Sequence, residues 1–237
     1  RDVGRYPSLT VRDTRVMQVR RSDGGFWFTC SDGAEGTATT VLLTTGLVDN
    51  LPDIPNLRNF YCKSIHHCLY CDGAEHAGRP IMAYGEGDKA AALGLIMRHW
   101  SENVAVCCSG TMPGAALQQR LAGRGIVLIQ SPVVKLMGDA GQLETVMFAD
   151  GTQRACEALF FSTGCTQGST LLHELGCKID EHGVAISDPV TEATSQPGVY
   201  AAGDITKDVL LVAVAIGEGA KAAVAINRAL LKHSGLL

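Results

Sequence analysis

The sequence has no run of basic residues and no interleaving of aromatic with basic side chains, which argues against a nucleic-acid surface. No apolar stretch reaches the ~18 residues needed to span a bilayer, so no membrane partner is expected. The opening Arg1-Asp2-Val3-Gly4-Arg5 has neither an initiator Met nor the build of a secretory leader, and it reads as the continuation of a longer chain. Low-complexity segments are absent too. Charged residues make up only 19% against 46% hydrophobic, and the formal net charge is -4. That balance excludes disorder as the default and supports a packed core. At 237 residues the chain has room for one large domain or two small ones.

Cysteine is not scarce: there are 9, an odd number, spread over apolar segments. A secreted disulfide scaffold would concentrate them in a short, loop-rich chain, so a reducing cytoplasm fits better. Most are expected to act as small core hydrophobes. Only Cys68 and Cys71 have informative spacing.

The chain opens with strand patterns, Val11 to Arg20 and Phe26 to Cys30, separated by a turn at Gly24-Gly25. The apolar run Thr39 to Thr44 ends in Thr45-Gly46, as a doubly buried parallel strand does. The connector Asp49 to Pro55 carries Pro52 and Pro55, a plausible inter-domain crossing. Residues 79–129 read strand–helix–strand–helix–strand, which implies parallel βαβ units. In the first of those helices Leu93, Ile96, Met97 and Trp100 share one face and are expected to bury it. A meander follows, Val133 to Met137 and Leu143 to Phe148. Ala158 to Phe161 then ends in Thr163-Gly164, an echo of Thr45-Gly46 that points to two related nucleotide-binding units. Gly198 to Ala202 is a strand delivering Gly203-Asp204, and an Ala-rich helix from about Val209 to Leu231 closes the sequence.

Cys68-Leu69-Tyr70-Cys71 is a C-x-x-C beside βαβ units, which reads as a dithiol/disulfide couple. Two intervening residues let the sulfurs meet within one turn. One thiolate can attack a disulfide while the other resolves the mixed disulfide. Asp72 is placed to protonate a leaving thiolate. His66 and His67 are placed to lower a thiol pKa or shuttle a proton. Zinc is a rival reading, since His66, Cys68, Cys71 and His76 form H-x-C-x-x-C-x4-H.

Gly85-x-Gly87-x-x-Ala90 follows a strand and opens a helix, the context of a dinucleotide fingerprint. Gly85 serves the tight turn, Gly87 the approach of a pyrophosphate, and Ala90 close helix–strand packing; Asp88 belongs to the same candidate site. The helix start offers N–H groups and a positive dipole end. At the end of the next strand, where an acid for NAD or an Arg for NADP is usual, the chain reads Cys107-Cys108-Ser109-Gly110, with neither. Farther on, Asp204 can accept hydrogen bonds from a polyol, and the helix after it can face a pyrophosphate. Val212 and Ala213, at the expected start of that helix, join Gly203 and Asp204 as candidate cofactor residues.

The ordered set Thr45-Gly46, C-x-x-C-Asp72-Gly73, Gly85-x-Gly87, Thr163-Gly164 and Gly203-Asp204 resembles low-molecular-weight thioredoxin reductases and related FAD-dependent pyridine nucleotide-disulfide oxidoreductases. The segment His67 to Glu75 is similar to that of their relatives that oxidise dithiols in natural products. The resemblance covers essentially the whole chain. It implies an α/β fold with two Rossmann-like domains in three ββα layers, the first lacking its N-terminal βαβ because no G-x-G-x-x-G precedes Thr45. It implies a discontinuous FAD-binding domain at 1–47 and 169–237, with an NAD(P)-binding domain inserted at 48–168. It implies FAD and NAD(P)H as cofactors, with Thr45, Gly46, Gly164, Gly203 and Asp204 among the residues that hold them. Electrons would pass from NAD(P)H through FAD to the Cys68–Cys71 disulfide and on to a thioredoxin-like protein or a small-molecule disulfide or dithiol. Cys71 would face the flavin and Cys68 the substrate, Asp72 would be the acid, and the protein would be a cytoplasmic homodimer. Two other readings stay open. One is a flavoprotein of the ferredoxin/flavodoxin-NAD(P) reductase kind with an incidental Cys pair. The other is an inactive nucleotide- or zinc-binding fragment.

Overall fold

Ala158–Phe161, Ile81–Gly85 and Val104–Cys108 are unbroken runs of apolar residues and glycine, and each is buried along its whole length. Such runs belong in a parallel sheet covered on both faces. In the computed structural model, which describes residues 5–206 and 209–237, they are the centre of a five-stranded parallel sheet. Its order is Ile65–His66, Ala158–Phe161, Ile81–Gly85, Val104–Cys108, Val127–Ile129. Of the opening pentapeptide read above as the continuation of a longer chain, Arg1 to Gly4 lie outside the described residues.

The chain divides into two units, Asp49–Cys165 and a discontinuous one of Arg1–Val48 with Thr166–Leu237. In the first, alternate residues of the sheet face two different cores. Met82, Tyr84, Ala105, Cys107, Leu159 and Phe161 pack with the antiparallel meander Val133–Asp139, Gln142–Phe148 and Gln153–Ala155. Ile81, Ala83, Val104, Val106 and Phe160 pack against the helices Gly87–Met97 and Ala115–Gly123. The result is three layers, meander, sheet and helices.

The face that the first helix buries differs from the one expected. Ala90, Ala91, Gly94 and Met97 are buried, whereas Ile96 is exposed and Trp100 lies beyond the helix end. Proximity explains this. A Cβ added at Gly94 would stand 2.2 Å from Val106 Cγ2, so that turn of the helix needs small residues against the sheet, while Met97 fills the space beyond it. Leu93 and Trp100 pack against the same core from its edge and are only partly buried.

In the discontinuous unit, Val16–Ser22, Gly25–Cys30 and Glu35–Ala38 form an antiparallel meander. The first strand begins at Val16 rather than Val11, because Val16 is the first residue with a partner, Cys30, while Arg12 turns its guanidinium to Asp32 at 3.0 Å. Val41–Leu43 pairs in parallel with Val199–Ala201. The core joins Phe26, Leu43, Leu171, Leu172, Val199 and Ile205. The last helix runs Val212–His233, starting three residues later than the pattern predicts, with extended Leu211 as its N-cap.

Candidate functional site

Cys68 has extended backbone and caps a four-residue helix, Leu69–Asp72; its sulfur accepts the Cys71 N–H at 3.1 Å. This single turn puts the two Cα atoms 5.3 Å apart, and Cys68 and Cys71 are joined as a disulfide. A hydrogen bond to the Cys68 sulfur favours negative charge there once the bond opens. Tyr70, between the cysteines, is exposed and meets Trp100 edge-on at 5.7 Å.

The segment before the pair is anchored by the sheet. His66 pairs with Phe160 in parallel register, and their rings stack at 5.4 Å between centroids. The buried His66 holds Nδ1 3.4 Å from Asp72 Oδ2, and its Nε2 lies 3.3 Å from Nε2 of His76. Burial lowers the His66 pKa; Asp72 pulls it back up, and His76 pushes it further down. The ring is therefore held neutral. His67 points elsewhere, with Nδ1 3.0 Å from Asp49 Oδ2, and the same carboxylate accepts the Tyr61 hydroxyl. Burial and that carboxylate raise the Tyr61 pKa.

Cys68 and Cys71 are thus bonded to each other, and Asp72, directly after them, meets His66. His76 joins through its ring contact with His66. Both sulfurs are consumed by their mutual bond, and among the described residues no three His, Cys, Asp or Glu side chains gather as a metal site would need.

At the fingerprint, Gly85 is closed in, since an added Cβ would meet Ser162 Oγ at 2.4 Å. Gly87 has φ +49° and nothing closer than 3.9 Å where a side chain would project. This left-handed glycine leaves open space at the start of the helix. Ala90 is fully buried, as its packing role requires. Asp88 is engaged locally, its Oδ1 accepting the Gly114 N–H at 2.8 Å and so capping the next helix. The Gly87 N–H is donated to the Thr111 carbonyl at 2.9 Å.

In the other unit, Gly46 has φ +62° with no atom within 4 Å of an added Cβ, and Thr45 precedes it. Gly164, φ +79°, stands at the end of the Asp49–Cys165 unit and accepts the Asn50 N–H. Gly203, φ +80°, donates its N–H to Glu218 Oε2 at 2.6 Å. Thr206 Oγ1 lies 3.1 Å from both Glu218 oxygens, and Glu218 is buried. This carboxylate, which sequence reasoning missed, ties the Gly203-Asp204 turn to the long helix. Its signal was a lone acid amid the small apolar run Val212 to Gly217. Asp204, Val212 and Ala213 remain exposed, and because Leu211 caps the helix, Asp204 is free of that duty.

Residues 8–219 match the family model described as pyridine nucleotide-disulphide oxidoreductase. The chain belongs to that family. A thioredoxin reductase of Aspergillus oryzae is 25% identical over 233 residues, covering 94% of this chain and 74% of that one. That of Dictyostelium discoideum is 26% identical over 202 residues, covering 81% of this chain and 63% of that one. Among solved structures, the Bacillus anthracis thioredoxin reductase TrxB superposes with a TM-score of 0.91 at 26% identity, covering 98% of this chain and 78% of its own. This oxidoreductase is thus of the thioredoxin-reductase-like kind, with the Rossmann-like α/β fold of that group. Family membership implies use of a flavin and NAD(P)H, and the open glycines at 46 and 87 are compatible with such groups. Among the described residues, no helix is long and apolar enough to cross a membrane.

Proposed function

We propose that this protein is an FAD-dependent oxidoreductase that passes electrons between NAD(P)H and a disulfide or dithiol through Cys68 and Cys71. The observation that carries the reading is the pair itself, bonded at the start of a helical turn with Asp72 directly after it. When bound, NAD(P)H supplies two electrons as hydride and FAD relays them. Gly85, Gly87 and the start of the Gly87–Met97 helix would hold the pyridine nucleotide. Thr45, Gly46, Gly164, Gly203, Asp204, Val212 and Ala213 would serve the FAD. On this reading 48–168 is the NAD(P)-binding domain, inserted into an FAD-binding domain of 1–47 and 169–237.

The protein's own residues do the thiol chemistry. Cys68, whose sulfur accepts the Cys71 N–H, is the better thiolate and attacks the external disulfide. Cys71 then resolves the mixed disulfide. Asp72 donates a proton to the leaving sulfur. The substrate is a thioredoxin-like protein or a small-molecule disulfide, and the protein works as a cytoplasmic homodimer. In the full-length protein, Cys68→Ser and Cys71→Ser should each abolish disulfide turnover. A double serine variant reducing disulfides at the wild-type rate would return the pair to an incidental role.

A further inference from the structure

Opening a disulfide takes up two electrons and, if both sulfurs end as thiols, two protons. The protons must reach a couple whose adjoining acid, Asp72, is itself bound to a buried ring. His66 sits between Asp72 on one side, at 3.4 Å, and His76 on the other, at 3.3 Å. Phe160 fixes both rings, stacking on His66 at 5.4 Å and meeting His76 edge-on at 6.1 Å. His76 is half-buried and lines a cleft of about 440 Å³ along with Glu75, Arg79, Glu144 and Glu157. A continuous line of nitrogen and oxygen atoms therefore runs from the residue after Cys71 to a solvent-facing cleft.

Resting on the redox reading above, we infer that Asp72, His66 and His76 form a proton relay serving the Cys68–Cys71 couple. As a thiolate reductant opens the bond, Asp72 gives its proton to the departing sulfur. His66 then passes its Nδ1 hydrogen to the emptied carboxylate and takes a hydrogen at Nε2 from protonated His76. The proton His76 hands on comes from solvent in the cleft, and His76 is left neutral with Nε2 accepting from His66. One proton enters at His76 and one leaves at Asp72, so the relay supplies one of the two and strands no charge on the buried ring. His66 ends in its other tautomer. When the dithiol is next oxidised by an external disulfide, a proton returns along the same path and restores the first tautomer. The two half-reactions reset each other without the stacked ring having to flip.

Several groups bear on this line. Asp72 and Glu75 favour positive charge on His66, while His76 and His67 oppose it. Burial opposes it most, which keeps His66 a conduit, while His76 is the ring that lines the cleft.

The test needs no flavin. Reduction of Cys68–Cys71 by dithiothreitol in the full-length protein is followed by thiol labelling and expressed per dithiothreitol thiolate, across pH 5 to 9 on the order of half-unit steps. In the wild type the rate should rise as pH falls through the range where imidazoles gain a proton. His76→Ala should lose about tenfold in rate at the acid end and flatten the profile. Added imidazole should restore both. His76→Gln, which keeps a polar group in place, should stay flat. A His76→Ala protein with the wild-type profile, or one that imidazole fails to rescue, would overturn the relay. If the pair instead resists reduction in the wild type, the redox reading itself falls, which is a separate outcome.

Discussion

The two units are of nearly equal length yet differ in how they treat apolar surface. Of twenty-two large hydrophobic side chains exposed among the described residues, eighteen belong to the discontinuous unit and four to Asp49–Cys165. The latter sandwiches a five-stranded sheet between two cores. The former has a two-stranded parallel pair and one core. The Cys pair lies with the better-covered surface. The disulfide, Asp72 and the two histidines beside it ride on the well-covered unit, where strand register can fix a ring to fractions of an ångström. The exposed apolar residues gather in the unit proposed to take the larger cofactor.

Amide hydrogen exchange would read the two units separately, and substitutions would shift them one at a time. The largest effect is expected from Phe160→Ala. Truncating a fully buried aromatic costs about 3–5 kcal/mol, so exchange should quicken throughout 49–165. The same change should also loosen His66 and His76. In the other unit, Glu218→Ala strands the Gly203 N–H, at about 1–3 kcal/mol, while the Thr206 hydroxyl keeps the Gly203 carbonyl at 3.0 Å. Protection should fall around Gly203 while the five-stranded sheet keeps its own. If both variants opened both units together, the division would not be energetic. Gly94→Ala comes next. Helix propensity favours it by about 1 kcal/mol, but the contact with Val106 makes overpacking win, for a net loss of about 1–2 kcal/mol in denaturant melts.

The smallest effects are those of pH. Burial lowers the His66 pKa in the folded state, so its contribution is present above the unfolded value of about 6.5 and is lost as pH falls through the folded one. Burial pushes the Cys107 and Cys156 thiols up to about 12. Their contribution is whole below the unfolded value of about 8.5 and is lost as pH rises towards about 12. Denaturant midpoints of the 49–165 unit should therefore drop at both ends of the scale. A midpoint insensitive to acid would mean that His66 is not buried neutral.

Much of this was legible in the chain. Continuous apolar runs such as Ala158–Phe161 announced buried parallel strands because nothing else needs both faces apolar. The C-x-x-C and the glycine turns were legible because their chemistry is local, confined to a few consecutive residues. What escaped depends on distance in space. The small-residue face of the Gly87–Met97 helix reflects how near Val106 comes, which no periodicity encodes. His76 was legible as a neighbour of the pair, but its placement against His66 and Phe160 rests on strand register. Glu218 finds its partners twelve and fifteen residues upstream, beyond any motif window.

That last carboxylate also sets a rule for how the sequence can drift. Glu218 meets Gly203 and Thr206 from one angular position on the Val212–His233 helix. Adding or deleting one residue between Val212 and Gly217 would turn that position by about 100° and carry the carboxylate off its partners. The segment can therefore accept exchanges of one small apolar residue for another while refusing any change in their number, so that its length, more than its composition, is the inherited trait.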